Sequence, residues 1–392
     1  MITVRLRPNE EHRIRAGHLW VFKDEISKVP AVEPGTLVRV VDRHETSYGV
    51  GFCNPLSKIT VRLLGTEREN IDADFFTERV RAAQRLREQL LPGETAYRLL
   101  FGESDLMSGL IIDRYGDHFV IQMLAAGMDQ HRDDIVHAIR TVFPSAKSVV
   151  EKNMAQTRLK EGLELREGLV WGTVPETVDI TENGLTLRID LVGGQKTGYF
   201  LDQKINRAMV ARFCANRSVL DCFCNVGGFA LNAAAAGARE AVGVDSSAVA
   251  IAAAQRNAEI NNLTNVRFED ANVFELLRAH VEEGRTWDVI ILDPPSFAKN
   301  RSVLRKAHAG YAELNRLAIK ALAPGGILVS ASCTQLVPEA DLLDIIYTEG
   351  SRLQKRLRLL YRGTQAPDHP VLLAMPETQY LKLFIFDIVN ES

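Results

Sequence analysis

Apolar and polar positions alternate in short runs over residues 1–70, the period of half-buried strands. Four runs carry the pattern, MITVRL, GTLVRVVD, SYGVGFCN and ITVRLLG, punctuated by Gly35, Gly49, Gly51 and Gly65. They predict a small β-barrel or sandwich. The period then lengthens. Phe76, Val80, Ala83, Leu86 and Leu90 recur at helical spacing within DFFTERVRAAQRLREQLL, which predicts a helix with one apolar face. LIIDRYGDHFVIQML predicts two strands around a Tyr-Gly-Asp turn. A helix near 129–143 and a strand near 147–151 continue an α+β segment. Asn183-Gly184 predicts a type I′ hairpin turn, because both turn positions need positive φ.

From about residue 193 strands and helices alternate. SVLDCF, EAVGVD, VRFED, WDVIILD and GGILVSAS read as strands. GFALNAAAAG, SAVAIAAAQRNAEIN, VFELLRAHVEEG, a segment near 306–323 and DLLDIIYTEGSRL read as helices. Apolar strands separated by helices imply a parallel sheet covered on both faces, with ligands bound beyond the carboxyl ends of its strands. Three parts are expected: a β-barrel over 1–72, an α+β middle domain over 73–190 and a Rossmann-like α/β domain over 191–392.

The strand ends carry chemistry. The first runs into Asp221-Cys222-Phe223-Cys224-Asn225-Val226-Gly227-Gly228, where small residues let the backbone approach a ligand. The triple-glycine turn that a pyrophosphate needs is missing, which argues against a nicotinamide dehydrogenase. An acid at Asp221 suits an ammonium group. Asp245, followed by Ser246, ends the next strand, and a carboxylate there can take both ribose hydroxyls. Asp270 and Asn272 follow the third; which of them reads an adenine stays open. Each acid alone is equally a helix cap. In order at successive strand ends they predict a class I methyltransferase fold with S-adenosylmethionine as cofactor.

The fourth strand ends in Asp293-Pro294-Pro295-Ser296-Phe297. The prolines stiffen a turn that aims Asp293 into the pocket and leaves Phe297 to stack on a flat ring. Cys333 closes the fifth strand between Ser332 and Thr334. A lone cysteine is most often a buried packing residue. Its position over the same pocket argues here for a nucleophile.

Composition narrows the classes further. Hydrophobic residues are 46%, charged residues 25%, and the net charge is −3, so charge alone does not hold this chain on nucleic acid. Local basic clusters remain: Arg5, Arg7, Arg13 and Arg15; Lys299, Arg301, Arg305 and Lys306; Arg352, Lys355, Arg356 and Arg358. They read equally as solvated faces. Arg13, Arg15, His18, Trp20 and Phe22 gather around Gly17, a mixture that suits RNA with splayed bases, although Trp20 and Phe22 are equally readable as barrel core. No apolar run reaches the ~18 residues of a membrane span, and the N-terminus lacks a secretory signal. A cytoplasmic protein without membrane association is expected. The five cysteines, an odd number, argue against a disulfide framework, and no metal site is expected.

DPPSF, VLDCFCNVGGFAL, LNRLAIKALAPGGILVSASC, QKTGYFLDQKINR and ESDLMSGLIIDRYGD resemble the ribosomal RNA large-subunit methyltransferase I family, and the resemblance covers nearly the whole chain. It implies an N-terminal PUA domain holding GHLWVF, a middle domain and a Rossmann-like class I methyltransferase domain. It implies methylation of carbon 5 of cytosine in RNA, with S-adenosylmethionine as cofactor and large-subunit ribosomal RNA as partner. Carbon 5 is too weak a nucleophile to attack a methyl sulfonium unaided, and thiolate addition at carbon 6 makes it an enamine. Cys333 is assigned that addition, and Asp293 the support of the ring. Arg13, His18, Trp20, Pro294, Pro295 and Phe297 are the expected RNA contacts. The family puts Gln195, Lys196, Thr197, Gly198, Tyr199, Phe200, Asp202, Gln203 and Arg207 against the methionine end of the cofactor; spacing alone makes this only a polar, glycine-bearing loop. Met107-Ser108, Cys222, Cys224 and Asn272 differ from the family's usual residues. Two other readings stand: an enzyme of the same fold acting on a base nitrogen such as guanine N7, and a non-catalytic RNA-binding assembly factor. The oligomeric state stays open, a homodimer included.

Overall fold

A computed structural model describes residues 1–191, 198–298 and 300–389. Compactness groups the chain in two units. One holds Met1–Ile180, Ile189–Leu201 and Pro367–Thr378; the other holds Thr181–Arg188, Asp202–Ala366 and the chain from Gln379. The segments 1–72 and 73–190 thus fall largely within one unit, joined by a stretch from near the C-terminus.

In the first unit one sheet orders Ile2–Arg5, Thr36–Val41, Ser47–Cys53, Ile59–Leu63 and Trp20–Phe22. The alternating positions Val38, Val40, Val61 and Leu63 turn inward to meet Val4 and Val21, none more than 2% exposed. Gly51 lies so close to the Arg62 carbonyl that a Cβ would sit 2.4 Å away. Trp20–Phe22 is an edge strand that no period predicts, since three residues are too few to show one.

A second sheet orders Arg166–Gly172, Ser148–Asn153, His118–Met123, Leu110–Tyr115 and Ala96–Phe101. Helices Ala73–Leu90 and Arg132–Val142 share its core, built on Phe76, Val80, Ile112, Phe119 and Ile139. Asp72 starts the long helix, its carboxylate accepting from Phe75 N at 3.1 Å. The predicted apolar face is corrected at its end. Leu86 and Leu90 are exposed, and Arg87 is buried in their place, its guanidinium bidentate on Asp105 at 2.6 and 2.8 Å. Asn183 (φ 52°) and Gly184 (φ 80°) turn the hairpin between Val178–Glu182 and Leu185–Ile189, the left-handed pair expected there.

The second unit is built on one seven-stranded sheet. Its strands are β1 (Ser218–Cys222), β2 (Glu240–Asp245), β3 (Val266–Asp270), β4 (Trp287–Leu292), β5 (Leu322–Ser332), β6 (Leu357–Gly363) and β7 (Lys382–Ile388), in spatial order β3-β2-β1-β4-β5-β7-β6. Every residue of β1 is buried, Ser218 and Asp221 included, as in a strand covered on both faces. Neighbours among β1–β5 pair parallel, and β7 pairs antiparallel with both β5 and β6. The all-parallel expectation is therefore corrected at this edge. The alternation of strands and helices stops at Glu339–Arg352, and a short apolar run such as LKLFIFDI does not by period alone tell strand from helix. The order reverses between β1 and β4, so a crevice opens beyond their carboxyl ends.

Candidate active site

β1 delivers Asp221 and then turns sharply. Phe223 (φ 64°), Asn225 (φ 50°) and Gly227 (φ 88°) are all left-handed before helix Gly228–Ala235 begins. Two of these are not glycine, a strained arrangement that costs about 1 kcal/mol or more each. Gly227 is required: a Cβ there would lie 2.8 Å from the Phe268 ring.

Asp221 is fully buried. Its Oδ2 accepts from Ala230 N at 2.9 Å, whereas Oδ1 has no hydrogen-bond partner among the described residues. Burial drives its pKa well above the usual carboxylate value; Asp293 and Asp245 push the same way, against the Ala230 N–H and Arg207. An orphaned buried oxygen of this kind fits a cationic group, and the ammonium of S-adenosylmethionine is one.

Asp245, ending β2, holds the turn in place. Its Oδ2 accepts from Asn225 N and its Oδ1 from Ser247 N, both at 3.0 Å. Each oxygen keeps a second lone pair for a ribose hydroxyl. Ser246 is exposed beside it, and Ser247 caps the next helix. Asp270, the last residue of β3, is exposed, while Asn272 caps helix Val273–Glu282, its Oδ1 accepting from Phe274 N at 2.9 Å and Glu275 N at 3.3 Å. The Asn272 oxygen is committed to the helix; the Asp270 carboxylate stands at the strand end.

Asp293 follows β4. Its Oδ1 accepts from Gln203 Nε2 at 3.1 Å, and the Gln203 Oε1 accepts from Asn206 Nδ2 at 2.7 Å. Gln203 and Asn206 are buried, so the amide orientation that faces Asp293 is imposed from behind. Pro294 is buried and Pro295 exposed. Phe297 is half-buried, its ring 4.7 Å from that of Tyr311 and 6.4 Å from that of Phe274.

Cys333 is the first residue beyond β5 and is half-buried, whereas Cys53, Cys214, Cys222 and Cys224 are buried. Burial drives the Cys222 and Cys224 thiols well above their usual pKa. The Tyr311 hydroxyl lies 2.8 Å from both Ser332 Oγ and Thr334 Oγ1, and Thr334 Oγ1 donates to Ser296 Oγ at 3.2 Å. These bonds stitch the loop after β5 to the loop after β4. Cys333 and the Asp293-Pro294-Pro295-Ser296-Phe297 turn thus follow neighbouring strands in loops that are hydrogen-bonded to each other, and Gln203 is bonded to Asp293. Tyr311 and Lys382 join this arrangement without any motif to announce them, and Asn206 lies within QKTGYFLDQKINR without having been singled out.

The first unit places Arg13, His18 and Trp20 together. His18 is buried, with Arg13 NH1 2.9 Å from its Nε2. Arg13 also pairs with Glu25 and lies 5.0 Å from the Phe22 ring centre, yet keeps 40% of its side chain exposed. The Trp20 indole N–H donates to Glu103 at 2.9 Å and Ser108 at 3.2 Å, leaving the ring half-buried. Gln195, Lys196, Thr197 and Lys299 lie outside the described residues. No helix among the described residues is long and apolar enough to cross a membrane.

Residues 135–383 match the family described as S-adenosylmethionine-dependent methyltransferase, and residues 4–66 match the PUA-like domain. Strand order, buried acid and family agree: the chain is an S-adenosylmethionine-dependent methyltransferase with an N-terminal PUA-like domain. It is 42% identical over 390 residues to a Shewanella denitrificans protein named Ribosomal RNA large subunit methyltransferase I, covering 97% of this chain and 98% of the relative. A Tolumonas auensis protein of the same name is 40% identical over 388 residues, with the same coverage. The chain belongs to the ribosomal RNA large subunit methyltransferase I family. A solved structure described as a SAM-dependent methyltransferase from Streptococcus mutans shares the fold at TM-score 0.85 and 23% identity, over 99% of this chain and 100% of that one. A methyltransferase complexed with SAH matches at TM-score 0.86 and 24% identity, with the same coverage.

Proposed function

We propose that this chain methylates carbon 5 of a cytosine in large-subunit ribosomal RNA, in the cytoplasm, through a covalent adduct on Cys333. The observation that carries the reading is the half-buried sulfur at the end of β5, in a loop tied by Thr334 to the turn that bears Asp293. When bound, S-adenosylmethionine supplies an electrophilic methyl group. Asp221 holds its ammonium, Asp245 with Ser246 its ribose hydroxyls, and Asp270 its adenine. Phe223, Asn225 and Gly227 shape the loop against it, Asn272 fixes the helix beside the adenine, and Gln203 anchors the Asp293 carboxylate.

The Cys333 thiolate forms a bond to carbon 6, and the ring electrons pass to carbon 5, which takes the methyl group. Asp293 hydrogen-bonds the nitrogen edge of the ring and stabilises the adduct. A base then takes the carbon 5 proton, the C–H electrons re-form the carbon 5–carbon 6 double bond, and the sulfur–carbon 6 bond breaks to return the thiolate. Pro294, Pro295 and Phe297 wall the base, which enters unpaired or flipped from its stack. The PUA-like domain, with the exposed edge of Arg13 and the Trp20 ring, holds the flanking RNA; His18 acts from behind by orienting Arg13.

Mass spectrometry of nucleosides from RNA treated with enzyme and labelled cofactor tests the reading. The wild type yields labelled 5-methylcytidine, and Cys333→Ala loses it by about a thousandfold or more. Near-normal transfer by Cys333→Ala, with the label on a purine nitrogen, would replace this reading with the nitrogen-directed one.

A further inference from the structure

We propose that Lys382 is the cation that keeps Cys333 poised as a thiolate and clamps the turn that carries it. The inference rests on the nucleophile reading of Cys333. Lys382 opens β7 directly across from Ser332, the residue before Cys333. Its side chain is buried, 8% exposed, and its Nζ donates to the carbonyl oxygens of Thr334 at 2.9 Å and Val337 at 2.8 Å. Two of the three ammonium donors therefore hold the backbone immediately after the sulfur.

A buried ammonium needs a compensating charge. Burial lowers the Lys382 pKa, and the charge of Cys333 works against that more strongly than Glu339 does. The interaction is reciprocal: whatever the thiolate does for the ammonium, the ammonium does for the thiolate. Other groups bear on the pair as follows. Glu339 begins the helix that follows the turn, and its carboxylate also pairs with Arg362 at 2.7 Å. Tyr311, from helix Leu304–Ala321, faces Cys333, and burial raises its phenol pKa, so it stays neutral. Asp293 acts on Tyr311 from the opposite loop. Lys382 thus supplies a positive charge beside the turn that carries the sulfur. The Cys333 proton passes to solvent, the ammonium keeps its three protons, and the sulfur lone pair is free to form the bond to carbon 6. Lys382 is a positioning residue: it acts through Cys333.

The test is alkylation of Cys333 by iodoacetamide in the full-length protein, followed across pH by mass spectrometry of the peptide that contains it. In the wild type, labelling reaches half its limiting rate below the ordinary thiol value of about 8.5. In Lys382→Met that midpoint rises by about one unit, and labelling at pH 7 slows about tenfold. Lys382→Arg, which keeps the charge, labels like the wild type. A Lys382→Met profile that superimposes on the wild type overturns the proposal. Should that variant not fold, a wild-type midpoint at or above about 8.5 overturns it equally. Labelling needs no methyl transfer, so the two readings fail separately. Cytosine methylation surviving in Cys333→Ala removes the nucleophile, whereas an unshifted labelling profile removes the role of Lys382.

Discussion

Asp221→Asn is the substitution for which the structure makes two predictions of opposite sign. The wild-type carboxylate is buried, with one oxygen bonded to Ala230 N and the other without a partner among the described residues. On the proposed reading that oxygen takes the cofactor's ammonium. A charge-assisted hydrogen bond contributes about 1.5–3 kcal/mol, so the variant binds S-adenosylmethionine about ten- to a hundredfold more weakly. Without cofactor the sign reverses. The folded-state pKa of Asp221 lies well above its unfolded value. Stability tied to this group is whole below the unfolded pKa of about 3.9 and is lost as pH rises toward the folded value. At neutral pH the acid therefore destabilises the empty protein. Asparagine removes the charge but leaves one buried polar atom unpaired, a net gain of about 1 kcal/mol, or roughly 2–4 °C in Tm for a unit of this size. Calorimetric titration with S-adenosylmethionine reads the first effect, and thermal scans of the empty protein between pH 4 and pH 8 read the second. A variant that binds the cofactor as the wild type does, and melts lower, refutes the reasoning.

Two further substitutions probe the same crevice. Gln203→Leu removes the donor that fixes Asp293, and the methyl-transfer rate constant should fall about tenfold or more; an unchanged single-turnover rate would show that Asp293 needs no such anchor. Gly227→Ala forces a side chain into a left-handed position 2.8 Å from the Phe268 ring, and about 1–3 kcal/mol of stability should go, read as a Tm several degrees lower; an unaltered melting curve would mean that the turn relaxes freely.

Most of the second unit was legible because its inner parallel strands β1, β2 and β4 are buried on both faces. In β4 the buried run Val289–Leu292 has no polar position to interrupt it, and Asp293 and the prolines mark its end. The candidate acids were legible for the same reason: Asp221, Asp245 and Asp293 lie at or near the carboxyl ends of buried strands, the face where such sheets bind ligands. The antiparallel pair β6 and β7 was not, since the exposed edge of β6 and the apolar β7 carry no βα rhythm. The helix from Ala73 was placed, but its inner face was not. Arg87 is interior because Asp105, eighteen residues on, neutralises it and the Arg98 and Asp368 carbonyls accept its other donors, and local sequence spacing has no term for such partners.

The chain order of residues determined which groups stand at strand ends, because a strand of given period must finish where its apolar run does. It therefore determined the cofactor class and singled out Cys333. Tertiary structure decided what surrounds them. Gln203 lies ninety residues from Asp293, and Lys382 nearly fifty from the Thr334 carbonyl it holds. Hydrogen bonds and charges act over a few ångströms of space regardless of distance along the chain, so the groups that tune the site appear only once the sheet has brought its strands side by side.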